Sequence, residues 1–345
     1  MKFIHIADVH FDMPFTVISK KGLAEKRRIK QREAFKRVIE YIQENSIEIL
    51  FISGDLYENE YVRKSTIDYI NNLFKEIPDT RIYISPGNHD PYIFNSYYKT
   101  YNWNENVYIF KDFEKIDLEN INIYGYGFTN FTSLRLDLPA DLDDYKINVL
   151  VMHADLDTNT EYNSIPRKTL EESKFDYIAL GHIHKRDING KIVYPGSLIS
   201  GGFDELGSHG MILGEINEET KKLKLEFIKI DEEEFKEINL DISEIYSEEE
   251  LIEKINNTEI SDKDYYKIIL EGQNNFEINT NMILKNIDKE RIIKIKDSTK
   301  TKYDLEKISK ENSLRGIFTK ELLETINEEN KEDVIKAIEI GLNLM

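Results

Sequence analysis

No cysteine occurs anywhere in the 345 residues, which excludes disulfides and thiolate ligation and leaves only nitrogen and oxygen donors for any metal. Such donors suit manganese, iron, zinc or magnesium. Long apolar runs are missing too. None reaches the ~18 residues of a membrane span, and the opening Met1-Lys2-Phe3-Ile4-His5-Ile6 lacks the charged and apolar regions of a signal peptide. The expectation is a soluble, cytoplasmic protein with no membrane partner. Positive charge is also scarce, with 46 Lys and Arg against 65 Asp and Glu, a net charge of −19. That balance argues against a surface that is basic all round and binds nucleic acid indiscriminately. Local binding survives it, because screening acts over about 8 Å at physiological salt. A basic cluster exists: Lys20, Lys21, Lys26, Arg27, Arg28, Lys30, Arg32, Lys36 and Arg37 fall within one segment.

What is present is a series of short apolar runs, each ending in polar residues. Residues 3–6, 49–52, 82–84, 147–152 and 177–180 read as buried strands, and residues 28–44 and 64–76 carry helical spacing between them. Weaker strands are expected near 107–110 and 121–124. A strand–tip–helix–strand repeat places the tips at the carboxyl edge of an α/β sheet, where ligands bind. The tips are Asp8-Val9-His10, Ser53-Gly54-Asp55, Pro86-Gly87-Asn88-His89-Asp90, His153 and Gly181-His182-Ile183-His184. Asp8 with His10 and His182 with His184 lie two residues apart, so in extended geometry each pair points one way. Asp55 at its strand tip can bridge two cations. Asn88 offers a carbonyl oxygen, and His89 can move a proton near neutral pH.

Each motif alone has a plain structural reading. The Asn88-His89 loop can be a turn with a solvated histidine, the basic helix a solvated face, and His5, alternating with Ile4 and Ile6, is read as a satisfied strand histidine. Five separate apolar runs, however, end in this set of tips, and it holds five of the seven histidines, which points to a metal centre. His209, in a Gly/Ser-flanked turn, is read as surface. The basic start of the first helix is expected near the site, and the turn at Tyr194-Pro195-Gly196-Ser197 can close over it.

In this order, D-x-H, GD, GNHD, a lone H and GHIH resemble the calcineurin-like metallophosphoesterase superfamily over about residues 1–230. The resemblance implies an α/β fold: a two-sheet β sandwich flanked by helices over 1–235, a smaller α/β capping domain over 236–300, and a C-terminal helical segment over 301–345. It implies two divalent metal ions, with manganese favoured. One is held by Asp8, His10, Asp55 and His184, the other by Asp55, Asn88, His153 and His182. His89 would face the scissile phosphate as a catalytic residue, and Asp90 would either orient His89 or cap a helix.

The opening nine residues and the stretch from Tyr194 to Glu205 are similar to SbcD/YhaO-type DNA repair exonucleases. That similarity implies DNA as substrate, with Lys20, Lys21, Arg27, Arg28, Lys185 and Arg186 as candidate contacts. It also implies an SMC-like ATPase partner docked on helices within 314–345, although those helices can equally pack on their own cap. No G-x-x-x-x-G-K-[ST] motif is present, so the ATPase would be another chain. A homodimer is placed by analogy on residues 64–76 and 92–101. Glu58 departs from the nuclease pattern, which has a histidine there. The alternatives are a phosphodiesterase for small nucleotides and a non-catalytic DNA-end scaffold.

Overall fold

Alternation within short apolar strands buries one face against a second sheet and the other beneath helices. The computed structural model describes residues 1–15, 22–134, 136–139, 141–301 and 303–345. The chain divides into two units, Met1–Lys236 with Ser261–Tyr266, and Glu237–Ile260 with Lys267–Met345.

The first unit opens with β1 (Lys2–Ile6), α1 (Leu23–Glu44), β2 (Ile49–Ile52), α2 (Lys64–Lys75), β3 (Arg81–Ile84), α3 (Tyr97–Thr100) and β4 (Val107–Ile109). It continues through β5 (Phe113–Asp117), β6 (Ile121–Tyr126), β7 (Ile147–His153), α4 (Arg167–Glu172), β8 (Tyr177–Gly181), β9 (Asp187–Asn189), β10 (Ile192–Tyr194), β11 (Gly210–Ile216) and β12 (Leu223–Lys229). Two six-stranded sheets result, ordered β12-β11-β1-β2-β3-β4 and β5-β6-β7-β8-β10-β9. Strands β1 to β4 are mutually parallel, as are β6, β7 and β8, so their carboxyl ends share an edge in each sheet.

The sandwich core takes alternate residues from both sheets: Phe3, Ile49 and Phe51 from one, Ile123, Val149, Val151 and Tyr177 from the other. Full burial of each such side chain contributes about 1.5–3 kcal/mol. Ile4, Ile6, Leu50 and Ile52 are also fully buried, and alternation turns them to the face that α1 and α2 cover. The long helix α1 begins at Leu23 rather than near Arg28, so its basic residues run from Lys26 to Arg37, past its midpoint, instead of clustering at its amino end. Strands β11 and β12 were not anticipated, though GMILGEI and LKLEFIK carry period-two alternation. They pair antiparallel, and β11 pairs with β1 some two hundred residues away in sequence, Lys2 opposite Glu215.

β13 (Phe235–Asp241) and β14 (Tyr265–Glu271) begin in the first unit and continue in the second, which also holds α5 (Glu248–Asn256), β15 (Gln273–Asn274), α6 (Thr280–Asn286), β16 (Ile292–Asp297), β17 (Lys300–Thr301), α7 (Leu305–Ile308), α8 (Leu314–Leu323) and α9 (Lys331–Leu344). β13, β14 and β16 form one small sheet, and β15 pairs with β17. Ser247 caps α5 by accepting the Glu250 amide, and three glutamates fill the first turn, where the helix dipole favours them. Ile338 and Leu342 of α9 cluster with Phe318 and Leu322 of α8. Among the described residues no helix is long and apolar enough to cross a membrane.

Candidate metal centre

The loops after β1 and β2 run side by side, zipped by backbone bonds from Asp8 N to Gly54 O (3.1 Å), His10 N to Asp55 O (2.8 Å) and Phe11 N to Leu56 O (3.0 Å). Buried Gln31 of α1 donates to the carbonyls of Val9 and His10. This bracing matters because Asp8, His10 and Asp55 all have φ near +50°, and His182 has φ of 103°. Left-handed backbone costs a non-glycine residue about 1–2 kcal/mol, and it persists only where the surroundings over-determine it. The result is that tip side chains converge from both sheets.

Asp8, His10 and His184 bring ligand atoms within 4.8 Å of one another, and so do Asp8, Asp55 and His153. In the first group the Nε2 atoms of His10 and His184 stand 3.0 Å apart. Their Nδ1 atoms are taken by carboxylates, Glu58 Oε1 at 2.8 Å and Glu205 Oε1 at 2.6 Å. A carboxylate on Nδ1 fixes the N–H there and leaves lone pairs on both Nε2 atoms, facing each other. That arrangement calls for a cation between them. Burial opposes charge on His184, yet Glu205 and Asp8 carry its pKa up to about 9, so positive charge is favoured at this point.

The second group repeats the logic. His153 Nδ1 donates to the Ser53 carbonyl at 3.0 Å, so its Nε2 faces Asn88 Oδ1 (3.0 Å), Asp55 Oδ2 (3.2 Å) and His182 Nδ1 (3.3 Å). Burial opposes charge on His153, yet Asp55 carries its pKa up to about 9, so a positive charge is favoured where these oxygen and nitrogen atoms converge. Asp55 Oδ2 also lies 3.8 Å from His10 Nε2, between the two groups. Burial works to raise its carboxyl, but the imidazoles beside it, His153 foremost, hold it well below the usual range. Asp8, His10, Asp55, Asn88, His153, His182 and His184 thus form one oxygen and nitrogen set that fits a pair of divalent cations.

His89 stands at the rim, its side chain 45% exposed, with Nδ1 2.8 Å from Glu58 Oε2. That hydrogen bond is the main reason its pKa rises to about 9. Glu58 therefore joins a ligand, His10, to the rim histidine, and both bonds depress it to about 2 although burial works the other way. The orienting partner of His89 is Glu58, and the expectation for Asp90 is corrected. Asp90 is fully buried and accepts hydrogen bonds from the amides of Gly87, Asp55 and Leu56 and from the Tyr98 hydroxyl, so it ties the Asn88 loop to the Asp55 loop. A cleft of about 510 Å³ opens at His89, lined by Phe15, Tyr61, Phe131, Tyr162, Glu58 and Glu60 among others.

Arg27 is corrected as well. It is fully buried, paired with Asp231 (2.8 Å) and Glu233 (3.0 Å) and donating to the Ser200 carbonyl, so it cannot meet DNA. Arg28 is half-buried and lines a neighbouring cavity. Lys185 and Arg186 are exposed, Arg186 with its guanidinium 3.8 Å over the Phe227 ring. Lys20 and Lys21 lie outside the described residues. His209 is not surface: it is buried, with Nδ1 2.9 Å from Ser197 Oγ and Nε2 donating to the Glu205 carbonyl. Together with Ser197 Oγ and Gly201 N, which donate to Glu205, it steadies the carboxylate on His184. Glu205 was visible only as the end of a Gly-rich stretch. His5 sits buried in the sandwich between Tyr177 OH and Ser53 Oγ, both at 2.9 Å, and burial lowers its pKa to about 3.

A family model described as calcineurin-like phosphoesterase matches residues 1–186. Over 234 residues the chain is 26% identical to a Bacillus subtilis (strain 168) protein named "Uncharacterized metallophosphoesterase YhaO", a match covering 62% of this chain. It spans 57% of that relative's length.

Proposed function

The chain belongs to the calcineurin-like phosphoesterase family, which uses a dinuclear metal centre, and from that premise we propose that it hydrolyses DNA phosphodiesters as an SbcD/YhaO-type nuclease. The single observation that supports a hydrolytic role most is His89, held by Glu58 at the mouth of the cleft beside the converged ligands. Divalent cations bound there would neutralise phosphoryl oxygens and lower the pKa of a water, the larger part of the rate. The chain's own contribution is a proton. Glu58 on Nδ1 leaves His89 Nε2 to donate to a phosphoryl or leaving oxygen, worth about 10²–10⁴-fold. Phe15, Tyr61, Phe131 and Tyr162 give the cleft aromatic surface suited to a nucleobase.

An SMC-like ATPase on another chain is the proposed partner in DNA repair, and the reading draws support from Leu314, Ile317, Ile340 and Leu344, which stay exposed on α8 and α9. A second reading, small-nucleotide hydrolysis, is favoured by Glu58 and Glu60 in a cleft with no Lys or Arg among its described lining residues. The deciding experiment sets end-labelled linear double-stranded DNA beside bis-p-nitrophenyl phosphate, with manganese, for wild type, His89→Ala and Asp55→Ala. Cleavage of DNA that both substitutions abolish is the expected result. Turnover of the small ester alone moves the substrate to small nucleotides, and turnover of neither overturns the hydrolase reading.

A further inference from the structure

Next to the metal cleft lies a second cavity of about 690 Å³, walled by continuations of the same loops. Asp12 and Pro14 follow the ligand His10, Tyr61 and Arg63 follow Glu58, and α1 adds Arg28 and Arg32. Pro14 and Tyr61 line both cavities, so one ridge of side chains separates them. The two differ in charge. The cleft carries Glu58 and Glu60, whereas the second cavity holds three arginines against Asp12 and Glu25.

Arg32 is already engaged, donating to Asp12 Oδ1 at 2.8 Å and to Thr66 Oγ1 at 3.0 Å. The other oxygen of Asp12 accepts from the Thr66 hydroxyl and the Arg63 amide. With Asp12 so occupied, the Arg28 and Arg63 guanidinium groups have no acidic partner among the described residues.

We propose that this cavity binds a second phosphate of a polynucleotide whose scissile phosphate lies at the metal centre, with Arg28 and Arg63 as the contacts and the strand crossing the Pro14–Tyr61 ridge. The proposal rests on the nuclease reading above and gives it a length requirement. An anionic backbone leaving an acidic cleft needs cations nearby, and these two arginines supply them on the other side of the Pro14–Tyr61 ridge.

The test is fluorescence anisotropy of a labelled single-stranded oligonucleotide in EDTA, across a salt series, with wild type, Arg28→Ala, Arg63→Ala, the double variant and Arg63→Lys. Each alanine is expected to weaken binding roughly three- to tenfold and to flatten the log affinity against log salt slope by about 0.7, the lysine retaining most of the charge-dependent part. With manganese, the ratio of oligonucleotide to bis-p-nitrophenyl phosphate hydrolysis should fall by a similar factor. Wild-type affinity and slope in the double variant would overturn the proposal. So would displacement of the strand by inorganic phosphate as readily as by unlabelled strand, which would mark a free-anion site. Absence of hydrolysis of both esters by a wild type that still binds the strand through these arginines would sink the nuclease reading alone.

Discussion

Glu58 does two jobs with one carboxylate, because its oxygens are 2.8 Å from the Nδ1 atoms of His10 and His89 respectively. Glu58→Gln keeps the shape and removes the charge. Outer partners of metal-binding histidines set tautomer and basicity, so manganese affinity measured by calorimetry should fall about ten- to a hundredfold. The same substitution should bring the His89 imidazole titration, followed by NMR in the metal-free protein, down from about 9 toward 6.5. The sign for stability follows from linkage. A folded pKa above the unfolded one stabilises fully below pH 6.5 and is lost as pH rises through about 9. The stability gap between wild type and Glu58→Gln in urea should therefore be widest below pH 6.5 and close toward pH 9. A gap that widened with pH would contradict the role assigned to this bond.

At the level of elements, the site depends on how closely the two sheets approach where their strands end. Gly181, at the end of β8, faces the Ser53 carbonyl at the end of β2, and a Cβ there would penetrate that oxygen and press on Ala7. Backbone cannot yield as a flexible side chain can. Gly181→Ala should thus cost roughly 1–3 kcal/mol in urea denaturation, and manganese affinity should drop with it, because Asp8 accepts the neighbouring His182 amide (3.0 Å). A variant with normal stability would show that the sheets can separate without disturbing the ligands. The tips that bear ligands were legible because Asp, Asn and His are conspicuous after apolar runs. Their left-handed backbone at Asp8, His10 and Asp55 was not, since Asp and His only tolerate that region better than most residues, and it is the zipped loops that hold all three there.

Across the whole molecule, a net charge of −19 coexists with a locally basic cavity, which fits short-range contacts better than long-range attraction of an anion. The ligand set also couples the sheets: Asp8, His10 and Asp55 come from one, His153, His182 and His184 from the other. A cation that binds this set binds the folded state alone. At a hundredfold excess over its Kd, manganese should add about 2.7 kcal/mol. In calorimetry the transition of the first unit should move up by roughly 5–10 °C, reversibly with EDTA. No shift at saturating manganese would mean that the convergence of these donors is structural.

Local properties of the chain were enough to read the apolar strands, the polar tips and the restriction to nitrogen and oxygen donors, because burial pattern and residue type act over a few neighbours. Pairing across the chain was decided only by the tertiary structure. Arg27 and Arg28 are adjacent in sequence, yet one is buried against Asp231 and Glu233 while the other lines an open cavity, since successive helical residues point about 100° apart. Glu205 on His184, His209 behind it and Glu58 between two histidines depend on distances between residues remote in sequence or on loop conformations, which no local pattern encodes. The chemistry of the donors is written in their identities. Which carboxylate holds which imidazole is set by the way two sheets and their loops are packed together.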